Sequence, residues 1–141
     1  MIGETWEFTK TFSVKDTKKH CEFYEEYNKV HWDIDFVKKY TQYENVIVPG
    51  MMIQNFFVRI QKKHHQDIDN GASAVLRNID VKFFDAAYVD SPVTFQGKIL
   101  KERIAKIGFI EFEIIASQND KKILPGKGLH GWPFSNVGGP R

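Results

Sequence analysis

The order of periodicities along the chain predicts an α+β fold in which an antiparallel sheet wraps around one long helix. A strand-like alternation near the N-terminus gives way to segments of helical period, and from residue 73 onward the pattern switches to runs rich in Val, Ile and Phe. Segregation of helices from strands in this way marks the α+β class. Only the helical segment after Pro49-Gly50 is apolar enough to lie against a sheet. The length, 141 residues, suits one domain, and 12 Phe, 5 Tyr and 3 Trp supply more aromatic surface than a minimal core needs.

Each element has its own signal. Over residues 5–14, Trp6, Phe8 and Phe12 share one strand face opposite Glu7, Thr9 and Thr11, and Lys10 interrupts the apolar side with a stem long enough to reach water. Ser13 to Asp16 supplies a turn or helix cap. Lys15–Tyr27 reads as a charged surface helix with an aromatic stripe of Phe23, Tyr24 and Tyr27. A short connection, residues 28–33, leads to a second helix near Ile34–Tyr40, with Asp33 placed to accept a hydrogen bond from its first amides. Pro49-Gly50 then opens the apolar helix from Met51 to about His64. There Ile53, Phe56, Phe57 and Ile60 recur at i, i+3, i+4 and i+7, Met52 widens the stripe, and Arg59, Lys62 and Lys63 suit the C-terminal end of the macrodipole. After an Asn70-Gly71 turn, strands are predicted at 73–84, 92–103, 107–118 and 121–125. They are divided by Asp85–Ser91, Ile104–Lys106 and Asn119-Asp120. Residues 1–131 form the domain, and 132–141 a Gly- and Pro-rich tail that contains no predicted element.

Composition also excludes functions. With 20 Lys+Arg against 18 Asp+Glu, the net charge of +2 offers no excess that points to nucleic acid. One cysteine, Cys21, allows neither an internal disulfide nor a thiolate metal frame, and reads as a half-buried inert thiol. No apolar run approaches the ~20 residues that span a bilayer, and residues 1–7 lack a signal-peptide pattern. A cytoplasmic protein is therefore expected. His64 and His65 are adjacent on a helix and do not face one ligand, so no metal site is expected. His130 lies in what reads as a flexible segment, with no assigned task.

Two features carry chemistry. In Glu26-Tyr27-Asn28-Lys29-Val30-His31 a carboxylate precedes a histidine at a helix exit, with an amide side chain between them. A loop can fold such a pair around one water, as acid and base; a solvated Glu and a surface His would read alike. The second is Val48-Pro49-Gly50-Met51. A helix that starts at glycine offers free N–H groups and the positive end of its dipole to an oxygen that becomes an enolate. The bland alternative is Pro-Gly opening a core helix.

Together, Glu7-Phe8-Thr9-Lys10-Thr11-Phe12, the helix after it, Glu26-x-Asn28-x-x-His31-x-Asp33 and Pro49-Gly50-Met51 resemble the MaoC-like hot-dog dehydratases and (R)-specific enoyl-CoA hydratases. The segment Val81 to Val93 looks like the strand and loop that follow the central helix there. The family motif has Asp where this chain has Glu26, Pro where it has Lys29, and His where it has Pro49. Asn55 stands where the related 3-hydroxyacyl-carrier-protein dehydratases carry a carboxylate. A sheet wrapped round one helix leaves an edge strand and one face for a partner, so a homodimer is expected. The resemblance implies a hot-dog domain acting on an acyl-CoA or acyl-carrier-protein thioester, with no cofactor beyond that thioester. It implies Glu26 and His31 as the catalytic pair, Asn28 as the orienting residue and the Gly50 amide as oxyanion donor. The acyl chain would run beside the central helix among Met51, Gln54, Asn55 and Phe57. Gln54 and Asn55 have an alternative role as a bonded pair across a dimer. A thioesterase on the same fold and a non-catalytic partner or binding subunit are the alternative functions.

Overall fold

The computed structural model describes residues 2–65, 75–103 and 109–131. The side chains of Arg59, Ile60, Lys62, Lys63, His64 and His65, the Asn70-Gly71 turn, the Ile104–Lys106 connection and the tail from Trp132 lie outside the described residues. Five strands, β1 (Thr5–Thr11), β2 (Val75–Val81), β3 (Pro92–Arg103), β4 (Phe109–Gln118) and β5 (Lys121–Gly131), form one antiparallel sheet in the order β1-β3-β4-β5-β2. Helices α1 (Val14–Tyr24), α2 (Ile34–Tyr40) and α3 (Gly50–His65) come between β1 and β2.

Strict alternation builds the core face of the sheet. In β4 every second residue, from Ile110 through Phe112, Ile114 and Ala116 to Gln118, is buried. Its register partners continue that face, with Phe95 opposite Ala116 and Ile99 opposite Phe112. Phe95, fully buried, is where helix and sheet meet: it stacks on Phe8 at 4.7 Å and meets the edge of Phe57 at 5.3 Å. Ile53 and Phe57 bury the apolar stripe of α3 as the heptad-like spacing predicts, and Phe56 packs edge-on against Phe12. Lys10, the break in the β1 pattern, carries its ammonium to 5.9 Å from the Phe56 ring. Gln118, a buried polar side chain, is fully used: it accepts from the Tyr88 N–H and donates to the Tyr88 and Ser91 carbonyls, clipping β4 to the loop before β3.

Several boundaries differ from the sequence reading. β1 ends at Thr11 because Ser13 already caps α1. That helix stops at Tyr24, not Tyr27, because Glu25 turns left-handed at φ 56°. β5 runs to Gly131, not 125, so the backbone of His130 is no flexible segment but a paired strand residue, opposite Ile110 and Leu76. Its glycines read as breakers yet serve packing: Gly128 lies opposite Phe112, whose ring occupies the space a Cβ there would need. Asn119 and Asp120 both have positive φ, the geometry of a two-residue hairpin turn, at the place predicted. Phe83 and Phe84, expected on a strand, follow the end of β2 and are exposed.

Candidate active site

The site is assembled from short polar side chains that satisfy backbone groups. Ser13 and Asp16 form a reciprocal capping box at the start of α1, at 3.1 and 3.0 Å. Its hydrogen bonds, above all that from the Ser13 amide, hold the Asp16 carboxyl below its ordinary 3.8. At the other end the Glu26 N–H reaches back to the Cys21 carbonyl at 2.9 Å, a six-to-one closure around left-handed Glu25. Thr17 and Cys21 bury the inner face of the helix, and burial, with the nearby Glu26 and Glu22 charges, raises the Cys21 thiol and keeps it inert.

From that exit each polar residue fixes the next. Glu26 Oε1 accepts from the Asn28 N–H at 3.0 Å, and Asn28 Oδ1 accepts from the Val30 N–H at 3.3 Å, capping a 3₁₀ turn over Lys29–His31. Asp33 Oδ1 then accepts from the Phe36 N–H and caps α2, as its spacing predicts. His31 Nδ1 lies 2.9 Å from the Ile47 carbonyl. A carbonyl only accepts, so Nδ1 carries the hydrogen, and in the neutral ring Nε2 keeps its lone pair. The Ile47 segment is itself laced down: Val48 donates to Ala87 at 2.7 Å and Val89 to Val46 at 3.1 Å.

These elements converge on a cavity of about 290 Å³. Glu26 and His31 line it from the α1 exit and the 3₁₀ turn, and Pro49, Gly50, Met51 and Asn55 line it from the head of α3. His20, Tyr24 and Glu25 complete the wall. A second cavity of about 500 Å³ shares His31, Gly50 and Met51, and is otherwise mainly apolar, with Ile47, Val48, Ile53, Phe83, Phe84 and Ile123 among its walls. His31 and Gly50 thus stand between the two spaces. Gly50 heads α3, whose Met52 and Ile53 amides both donate to the Pro49 carbonyl, at 3.0 and 3.2 Å, so the amide a ligand oxygen can use at this helix start is that of Gly50 itself. The group closest to it is the Phe83 ring, which a Cβ on Gly50 would meet at 2.6 Å.

Of the residues singled out from sequence, Glu26, His31, Gly50, Met51 and Asn55 share the smaller cavity, while Asn28 does not line it and caps the 3₁₀ turn that carries His31. Phe57 lies in the core at 2% exposure, and neither Phe57 nor half-buried Gln54 lines either cavity. His20 was missed. The one available signal was its i, i+4 relation to Tyr24 on a helix whose 17/21 stripe is buried.

No family model matches the chain. Over 63 residues it is 32% identical to the mitochondrial 3-hydroxyacyl-(acyl-carrier-protein) dehydratase of Arabidopsis thaliana, a match that covers 45% of this chain and only 37% of that relative. In three dimensions the chain is similar to an (R)-hydratase from A. caviae involved in PHA biosynthesis, with TM-score 0.79 and 20% identity over 94% of this chain and 97% of that one. It is also similar to the truncated HadBC 3R-hydroxyacyl-ACP dehydratase complex of Mycobacterium tuberculosis, with TM-score 0.76 and 8% identity over 93% and 96% of the two chains. The fold is therefore the hot-dog fold. Its structural neighbours include proteins described as MaoC-like dehydratases. Among the described residues no helix is long and apolar enough to cross a membrane.

Proposed function

We propose that this chain hydrates 2-enoyl thioesters and, in reverse, dehydrates 3-hydroxyacyl thioesters. The observation that carries the reading is that Glu26, His31 and Gly50, separated along the sequence, wall a single cavity. Glu26 and His31 hold a water for attack at C3. As its oxygen bonds to C3, a proton leaves the water for one member of the pair, and the thioester becomes an enolate whose oxygen the Gly50 amide stabilises. Collapse of the enolate takes a proton at C2 from the same pair, so that one water is added across the double bond. The larger apolar-walled cavity beyond His31 gives the acyl chain room. A CoA or an acyl-carrier-protein thioester fits this chemistry equally; two of the similar proteins carry the acyl-carrier-protein form in their names.

The working form is a homodimer in the cytoplasm. Supporting the dimer are β2, an edge strand with Leu76 45% exposed, and Met51, 55% exposed at the head of α3. Incubation with crotonyl-CoA tests the activity: loss of enoyl absorbance is expected, release of free thiol would mean a thioesterase, and neither, on a panel of enoyl thioesters, would leave a binding subunit. Glu26→Gln and His31→Ala are each expected to lower the hydration rate by roughly 10²–10⁴-fold.

A further inference from the structure

We propose that His20 is a positioning residue of this site, a neutral imidazole on the wall shared with His31 that leaves His31 the one ring there to gain charge during turnover. The proposal rests on the acid–base reading of Glu26 and His31 given above. His20 belongs to the same cavity wall as that pair and the Gly50 amide. The burial of Thr17 and Cys21 turns the next stripe of α1, His20 and Tyr24, toward the cavity, with their rings 4.7 Å apart. His31 is tied through Nδ1 to a carbonyl, whereas among the described residues the His20 ring has Tyr24 as its support and no hydrogen bond.

The groups that face it come from every element of the cavity wall. Tyr24 faces His20 from its own helix, Glu25 and Glu26 from the helix exit, and His31 from the 3₁₀ turn, while α3 contributes the uncharged Met51 and Asn55. Two carboxylates alone would favour an imidazolium. Here burial first, and His31 second, hold His20 below the ordinary histidine value of 6.5. Near neutral pH the ring is therefore uncharged. When the reaction moves a proton onto His31, a neutral neighbour allows it, and a second imidazolium in the same small space would oppose it by like-charge repulsion.

Two measurements on the full chain test this. In a proton NMR titration of the imidazole C–H signals, His20 should titrate below the ordinary histidine range, and its midpoint should move upward in His31→Gln. In the hydration assay the acid limb of the pH–rate profile should steepen toward two protonations. In His20→Gln it should fall to one, and the ratio of the rate at about pH 5.5 to that at about pH 7.5 should rise several-fold. Should His20→Gln fail to fold, as judged by circular dichroism, His20→Asn takes its place. Absence of hydration by the parent overturns the acid–base reading and the role of His20 with it. With an active parent, a His20 midpoint indifferent to His31→Gln, or a variant profile that superimposes on the parent, overturns the role of His20 alone.

Discussion

Across the sheet, side-chain volume decides position; between Ser13 and Asp33, single hydrogen bonds do. Phe95 is fully buried against Phe8, Phe12, Phe56 and Phe57, and Gly128 is glycine because the Phe112 ring takes the neighbouring space. The cavity end instead runs as a relay: Ser13 with Asp16, Glu26 to Asn28, Asn28 to Val30, Asp33 to Phe36, and His31 to Ile47. Glu26 and Asn28 are exposed. Burial of the aromatic core is worth several kcal/mol per side chain, whereas each local cap is worth about 1 kcal/mol. The difference separates stability from the proposed chemistry: the sheet can be damaged without touching Glu26 and His31, and those two can be changed with little cost to the fold.

Four substitutions sharpen or break that separation. Phe95→Ala should have the largest effect on folding, a loss of about 3–5 kcal/mol in urea unfolding, because the cavity it leaves is enclosed by four other rings. A loss below 1 kcal/mol would mean that the core reading is wrong. Glu26→Gln should do the reverse, cutting hydration by roughly 10²–10⁴-fold while the unfolding midpoint stays put. A shift of that midpoint comparable to the Phe95 variant's would erase the proposed division. Gly128→Ala should cost about 1–3 kcal/mol, since the new methyl must displace the Phe112 ring. A neutral result would show that β5 can retreat from β4 there. Ser13→Ala should be milder, about 1 kcal/mol by loss of the cap.

That last variant carries a pH signature. The Asp16 carboxyl is held below 3.8 in the folded chain, so the unfolded chain binds the proton more readily. The stability it contributes is present above pH 3.8 and fades as the pH falls through the lower folded value. His20 behaves in the same sense at a higher pH. Its folded value lies below 6.5, so its contribution is present above that pH and is lost as the pH falls through the folded value. Acid unfolding of Ser13→Ala should therefore lose part of the parent's dependence at the most acid end and keep the mildly acid part. Parallel curves would show that the Ser13 hydroxyl does not tune Asp16 and that the Ser13 amide, kept in the variant, suffices.

Legibility followed the same divide. α2 and its Asp33 cap, the β3 boundaries and the Asn119-Asp120 turn were readable because the residues that determine them are neighbours in sequence. The end of α1 was not, since Glu25 carries no signal for a left-handed backbone, a position usually marked by Gly or Asn. β5 was read short because Pro125, Gly126 and Gly128 look like breakers until the Phe112 ring is seen above one of them. Within the site, the Glu26 to His31 spacing and the Pro49-Gly50 helix start were visible one by one. The side-by-side placement of the α1 exit and the α3 head is a tertiary fact, and it alone brings His20 and Asn55 into the same wall and leaves Phe57 out of it.

The bond from His31 to the Ile47 carbonyl has a kinetic corollary. That carbonyl is held where it is by the Val48–Ala87 and Val89–Val46 hydrogen bonds on either side. The tautomer of the ring is thus only as durable as this lacing, and each transient opening of 46–48 from 87–89 releases a ring free to flip. The exchange rates of the Val48 and Val89 amides with deuterated water would then time the proposed site, and warming that speeds their exchange is expected to dim the proposed hydration before the sheet begins to melt.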